Sequence, residues 1–388
     1  MSPSEPGRER AGAVLTIDLD AIAANYRTLE RRLEGARCGA VVKADAYGLG
    51  MAEVAPALSA AGCREFFVAH VEEGVALRAH LPDAAIHVFN GVTAATAPTF
   101  AEYRLVPVLN DLGQTEAYSA FARGLRRGKG AGEGAPRLPA ILHIDTGMRR
   151  LGLEEREVGA LAASPERLAG IEVRYLMSHL ACANEPDHPL NAEQLAAFID
   201  ARARLSPQIG APGSLANSSG IFLGADYHFD LARPGAALFG LAPQTGAPNP
   251  MAQVVRLQAK ILQVRHVDSL MTVGYGATHR VHAKGRIATV AVGYADGYLH
   301  ALSNRASAYI GETRVPVVGR ISMDLITLDV SDVAPERAAP GAFAELIGEH
   351  HPVDALAADA GTIGYEILTG LGRRFHRIHL GSVTGGVN

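Results

Sequence analysis

At 388 residues, with 48% hydrophobic residues and a net charge of −4, the chain is long enough for two domains and has an ordinary globular profile. So balanced a charge, without a lysine-rich patch, gives a nucleic acid little to hold, and no apolar run approaches the ~20 residues of a membrane span. Three widely spaced cysteines, Cys38, Cys63 and Cys182, argue against a disulfide framework or a zinc site and point to reduced thiols in a cytoplasmic protein.

Residues 1–13 are charged, contain Pro and Gly, and read as a disordered terminus. From 14 to 243, short apolar or β-rich runs alternate with amphipathic helical stretches. The run 14–18 is strand-like, and Asp20 sits where an N-cap belongs before a helix carrying Ile22, Tyr26 and Leu29. Strand 38–42 leads to a helix over 51–61, and strand 66–68 to a helix through Glu72, Ala76 and Leu77. Strands follow at 86–89 and 105–109. The Gly/Arg/Pro-rich stretch 124–139 reads as a surface loop in which Lys129 is a solvated charge. Further strands fall at 140–144, 173–177, 213–216 and 237–239. About eight or nine β/α steps in about 230 residues predict a (β/α)8 barrel. An open doubly wound sheet is the alternative, but no G-x-G-x-x-G follows the first strand.

The period changes after Pro243. Residues 244–251 read as a linker, and 244–388 as a mostly β C-terminal domain. Its strands are expected at 254–267, 286–292, 308–310, 314–318 and 325–330, with a short helical piece at 353–358 and a last segment at 365–371.

Lys43 stands out because only four of the 36 lysine and arginine residues are lysines. It ends an apolar strand and is followed by Ala44, Asp45, Ala46, Tyr47 and Gly48. Arginine keeps its proton in a protein, whereas a desolvated lysine can lose it and attack a carbonyl. A lysine snorkelling from a strand end to solvent is the competing reading. Reactive side chains of a β/α barrel sit at the C-terminal ends of its strands. His143 with Asp145, Ser178 with His179, the run 217–220, and Arg233 before Gly235 all fall at such ends beside Lys43. Asn217, Ser218, Gly235 and Ala236 are small and rich in backbone N–H groups, as a phosphate cradle requires. Singly, Ser218 reads as a helix cap and His179 as a structural histidine. A Schiff-base lysine, a phosphate cradle and a buried arginine at one mouth point to pyridoxal phosphate.

The same segments carry a resemblance. Residues 42–48, 145–148, 150–152, 178–179, 216–218, 228–230 with 233–235, 274–278, 292–298, 319–324 and 361–366 match, in order, the motifs of the alanine racemases of the fold-type III pyridoxal-phosphate group. The resemblance covers about 14–379 and implies an N-terminal barrel followed by a mostly β domain. It implies a two-base racemase interconverting L- and D-alanine, working as a homodimer with shared active sites, and requiring no metal. Serine or another small amino acid as substrate is the alternative, and a non-catalytic cofactor-binding barrel a more distant one.

By the same resemblance, Lys43 would hold the cofactor and act as one base, and Tyr275 from the partner subunit would be the other. His179, linked to Arg233, would polarise that tyrosine. Arg233 would face the cofactor ring nitrogen, and Arg150 would contact its phenolic oxygen and the substrate carboxylate. Tyr47, Asn217, Ser218, Gly235, Ala236 and Tyr365 would complete the cofactor site. Met323 would hold the substrate carboxylate, and Tyr294 and Tyr365 would narrow the entrance. His143 departs from the family pattern, since many members carry a carbamylated lysine there. His143, a bound anion or a water is expected to orient Arg150 instead.

Overall fold

The computed structural model describes residues 5–128 and 137–381; Lys129 and residues 1–4 lie outside that range. The barrel begins with β2 (Arg37–Cys38) and β3 (Ala40–Val41), one strand interrupted at Gly39. It continues through β4 (Glu65–Val68), β5 (Ala85–Val88), β6 (Leu105–Leu109), β7 (Leu138–His143), β8 (Ile171–Met177), β9 (Gly213–Ser214) and β10 (Leu231–Ala232). Strands β3 to β9 form one parallel sheet. Backbone hydrogen bonds close it on both sides of β10. Gly39 N donates to Ala232 O (2.9 Å) and Val41 N to Pro234 O (2.8 Å), while Arg233 N donates to Ala216 O (2.9 Å). The strands are short continuous apolar runs because both faces are covered: Phe66, Phe67, Val68, Ile86, Val88 and Val108 are all buried.

The first strand, β1 (Ala13–Asp18), does not open the barrel as its sequence position suggests. It lies in the second sheet, antiparallel to β11 (Val255–Val267) with Ala13 opposite Ala259, and parallel to β19 (His376–Leu380) with Val14 opposite His376. Its apolar run is buried on both sides, a pattern that does not reveal the partner strand. Between β11 and β19 in the chain come the hairpin β12 (Thr272–Val273) and β13 (His279–Arg280), then β14 (Gly285–Val290), β15 (Ser307–Ile310), β16 (Thr313–Pro316), β17 (Ile326–Asp329) and β18 (Phe343–Ile347). The large sheet runs β16-β15-β18-β11-β1-β19, and the far half of β11 carries β14, which pairs with β17. Register shifts at Leu257/Gln258 and Ile261/Gln263 let this 13-residue strand change neighbours along its length.

Other expectations shift. Asp18, not Asp20, caps the helix Leu19–Arg32, its Oδ1 accepting from Ala21 N at 2.9 Å. A helix runs from Leu112 through Gly128, so residues 124–128, expected in a surface loop, are helical. Residues 5–10 form a helix where disorder was expected. The 237–239 run is a 3-10 turn, and the last barrel strand is β10 instead. The 365–371 segment is the helix Gly364–Gly370. Among the described residues no helix is long and apolar enough to cross a membrane.

The N-terminal end of the barrel is closed by a polar knot. Glu65 Oε2 lies 2.6 Å from Nε2 of the buried His87, and Glu65 Oε1 accepts from Tyr175 OH and Arg37 Nη1, both at 3.1 Å. The imidazole stacks on Phe67 with ring centroids 4.5 Å apart.

Candidate active site

The opposite end holds the chemistry. β3 ends at Val41, and Lys43 follows within a turn of unusual backbone. Ala44, Asp45, Ala46 and Tyr47 all have φ between 52° and 56°, the left-handed region, and Gly48 follows at 82°. Each such L-residue costs about 1–2 kcal/mol, so the surroundings must impose the conformation. Glu73 does so from the next β/α unit: its Oε1 accepts from Ala44 N (2.6 Å) and its Oε2 from Ala69 N and His70 N. Asp45 Oδ1 accepts from Met51 N at 2.7 Å, and Arg377 Nη1 donates to Gly48 O at 2.7 Å. A Cβ on Gly48 would stand 2.6 Å from Leu368 O, so the close approach requires glycine. The turn reverses the chain at once and leaves the lysine side chain at the barrel mouth.

Lys43 lines a cavity of about 520 Å3 with Tyr47, His143, Arg150, His179, Asn217, Ser218, Arg233, Gly235, Ala236 and Tyr365. The lining carries three cationic side chains and no carboxylate. Two larger clefts, of about 930 and 770 Å3, mix charges of both signs. Lys43 Nζ makes no hydrogen bond or ion pair among the described residues. Burial, and then the neighbouring Arg150 charge, lower its pKa from the usual lysine value, against an opposing pull from Glu73.

Arg233 is buried and firmly held. It donates through Nη1 to Ser214 Oγ and through Nη2 to Ser178 O at 2.6 Å, with Leu215 O at 3.4 Å, which leaves Nε without a described partner. Burial brings its pKa down to about 9, so it stays charged at neutral pH. The expected link from Arg233 to His179 is not a hydrogen bond, because serine and backbone acceptors take the guanidinium. Burial and the Arg233 charge nonetheless push His179 well below the usual histidine range. His143 Nδ1 pairs with Asn110 Oδ1 at 2.8 Å. Burial, then Arg233, lowers His143 to about 3, so it is neutral. Among the described residues no hydrogen bond joins it to Arg150, although both line the cavity. Arg150 has no hydrogen-bond or ion-pair partner among the described residues.

Ser218 Oγ accepts from Gly235 N (2.9 Å) and Ala237 N (3.2 Å), shaping the loop after β10. Ala236 N–H, Tyr47 OH and Tyr365 OH donate to no described residue, although Ala236 and Tyr47 are themselves buried. Asn217 Oδ1 accepts from Gly220 N at 2.9 Å and is a turn cap. Unspent donors beside three cations fit an anionic group such as a phosphate.

Tyr275, Met323 and Tyr294 are not among the residues lining this cavity. They lie in the β domain, exposed by 72%, 53% and 45%. Neither the Tyr275 hydroxyl nor the Met323 N–H has a partner among the described residues. Glu73, Asn110 and Ser214 were missed from sequence. Asn110 directly follows β6 and was open to the strand-end rule, and Glu73 sits three residues after His70 in a capping box. Ser214 carried no signal.

Fold and mouth together define a two-domain β/α-barrel protein with a single amine at the head of an anion-binding cleft. Residues 17–243 match the model of the alanine racemase N-terminal domain, and 254–379 that of the C-terminal domain. An alanine racemase of Rhodospirillum rubrum is 52% identical over 95% of this chain and 96% of its own length. A catabolic alanine racemase of Mesorhizobium japonicum is 49% identical over 96% and 94%. The crystal structure of alanine racemase from Bartonella henselae with covalently bound pyridoxal phosphate superposes with a TM-score of 0.89 at 40% identity, covering 95% of this chain and all of that one. The chain belongs to the alanine racemase family.

Proposed function

We propose that the protein is a pyridoxal-phosphate-dependent alanine racemase that acts as a homodimer, each site completed by the other subunit's β domain. The observation that carries the reading is the charge inventory of the Lys43 cavity: three cations, no carboxylate and three uncommitted donors. Lys43 would hold pyridoxal phosphate there, which would supply the electron withdrawal that makes the substrate Cα proton labile.

The residues then divide the remaining work. Tyr47, Tyr365 and the Ala236 N–H are free to hold the phosphate, on a loop braced by Ser218. Arg150, unpaired, is free for the substrate carboxylate, as is the Met323 N–H of the second copy. Lys43 Nζ, with its lowered pKa, takes up or delivers the proton on one face of Cα. Tyr275 of the second copy serves the other face; an exposed, unpartnered hydroxyl suits a group donated to another subunit. Arg233 would hold the ring nitrogen of the cofactor through its free Nε–H. Because an arginine does not give up its proton, such a partner would leave that nitrogen unprotonated and supply a moderated electron sink, which would disfavour transamination. D-alanine made this way would feed peptidoglycan synthesis in the cytoplasm.

The test is a D-/L-alanine exchange assay together with the visible spectrum. Lys43→Ala should abolish both exchange and the absorbance near ~420 nm of a lysine-bound pyridoxal group. An unchanged spectrum would overturn the assignment of Lys43.

A further inference from the structure

We infer that Arg374 is a positioning residue for the reaction: it fixes the Tyr294 and Met323 loops as one unit, so that together they present a single surface to the substrate of the other subunit. This rests on the racemase reading above.

The two loops touch through their backbones. Tyr294 N donates to Ser322 O (3.1 Å) and Ala295 N to Met323 O (3.0 Å). Gly293 permits the approach, since any Cβ there would overlap the Ser322 and Met323 carbonyls. Arg374, from the segment before β19, spans both loops. Its Nε and Nη2 grip Asp296 Oδ1 and Oδ2 at 2.6 and 2.9 Å, and its Nη1 reaches Asp324 Oδ1 at 2.7 Å.

Each end of the clamp sits next to a functional group. Asp296 closes the short turn Tyr294–Asp296, and its Oδ2 also accepts from Gly293 N at 3.0 Å. Asp324 directly follows Met323, and Arg374 is its only described side-chain partner. Asp296 is buried, so the bidentate fork is its counter-charge; the Asp324 arm is exposed and adds no burial. That exposed arm therefore does little for the fold, yet it fixes the backbone beside the free Met323 N–H. A planar guanidinium can hold three carboxylate oxygens on two loops at once, which an ammonium cannot. Neither Asp296 nor Asp324 lines the Lys43 cavity, so the clamp acts through the loops and not by touching cofactor.

Kinetics of the dimeric holoenzyme test the inference. Arg374→Met should raise the KM for alanine at least tenfold with a smaller change in kcat, and leave the cofactor absorbance intact. Asp324→Asn, which cuts the exposed arm only, should raise KM with an unchanged melting temperature. Arg374→Lys should recover the melting temperature more fully than KM. Subunit mixing then locates the effect. Lys43→Ala chains mixed with Arg374→Met chains should form dimers with one intact site and wild-type KM. Wild-type chains mixed with a Lys43→Ala/Arg374→Met double variant should form dimers with none. A wild-type KM in Arg374→Met and Asp324→Asn overturns the inference, and so does a first mixture that shows no component of wild-type KM. If the wild-type protein exchanges no alanine, the racemase reading itself fails, and that outcome is separate from either.

Discussion

Gly235 and Tyr47 are matched in shape: any Cβ on Gly235 would overlap the Tyr47 hydroxyl and stand 3.3 Å from the Val41 Cβ. Overpacking of this kind costs about 1–3 kcal/mol, or roughly 5- to 150-fold in an equilibrium constant. Gly235→Ala should therefore weaken retention of pyridoxal phosphate by that factor, measured by dialysis and visible absorbance.

Tyr275→Phe deletes only a hydroxyl that is solvent-exposed in the single chain. Loss of a general acid–base group should lower racemisation about 10²- to 10⁴-fold. The visible spectrum should not change, because Tyr275 is not among the residues lining the Lys43 cavity. Equal activity of variant and wild type would remove Tyr275 from proton transfer.

His143 gives acid sensitivity a definite sign. Its folded pKa of about 3 lies below the ordinary 6.5, so between these values the unfolded chain binds a proton that the folded chain does not. Stability falls as the pH drops from 6.5 towards 3, by up to about 1.4 kcal/mol per pH unit for one such group. His179 is shifted the same way and adds to the slope. His143→Asn should make the slope shallower in urea titrations across that window, and an unchanged slope would contradict the neutral, buried state of His143.

Glu65 tests the barrel's other end. Glu65→Ala leaves the buried His87 Nε2 without its 2.6 Å partner. Loss of a charge-assisted bond of this kind costs about 1.5–3 kcal/mol. Because the knot lies at the N-terminal ends of the strands, KM and kcat of the remaining folded enzyme should stay at wild-type values.

What the sequence revealed divides along physical lines. Barrel strands buried on both faces leave continuous apolar runs, so β4, β6 and β8 were readable, and residues at or just past strand ends, such as His143, Lys43 and Arg233, were readable with them. Pairing was not readable. β1 carries the same apolar signature as a barrel strand, and only its distant partners, Ala259 against Ala13 and His376 against Val14, put it in the other sheet. The left-handed turn at 44–47 was equally hidden, because alanine and tyrosine do not advertise positive φ; Glu73 and Arg377 impose it from elsewhere. Arg374 looked like any surface arginine near the end of the chain, and its two aspartates sit 78 and 50 residues away.

β1 has a consequence for synthesis. It leaves the ribosome among the first segments, while β11 and β19, between which it lies, are translated later, β19 nearly last. The barrel can assemble as its own strands appear, but one edge of β1 waits for β11 and the other stays unpaired until translation is almost finished. An exposed apolar strand is a template for association with other chains. Slow translation of the C-terminal third should therefore raise the fraction lost to aggregation, and a nascent chain stalled before β19 should hold a formed barrel with β1 still sensitive to protease.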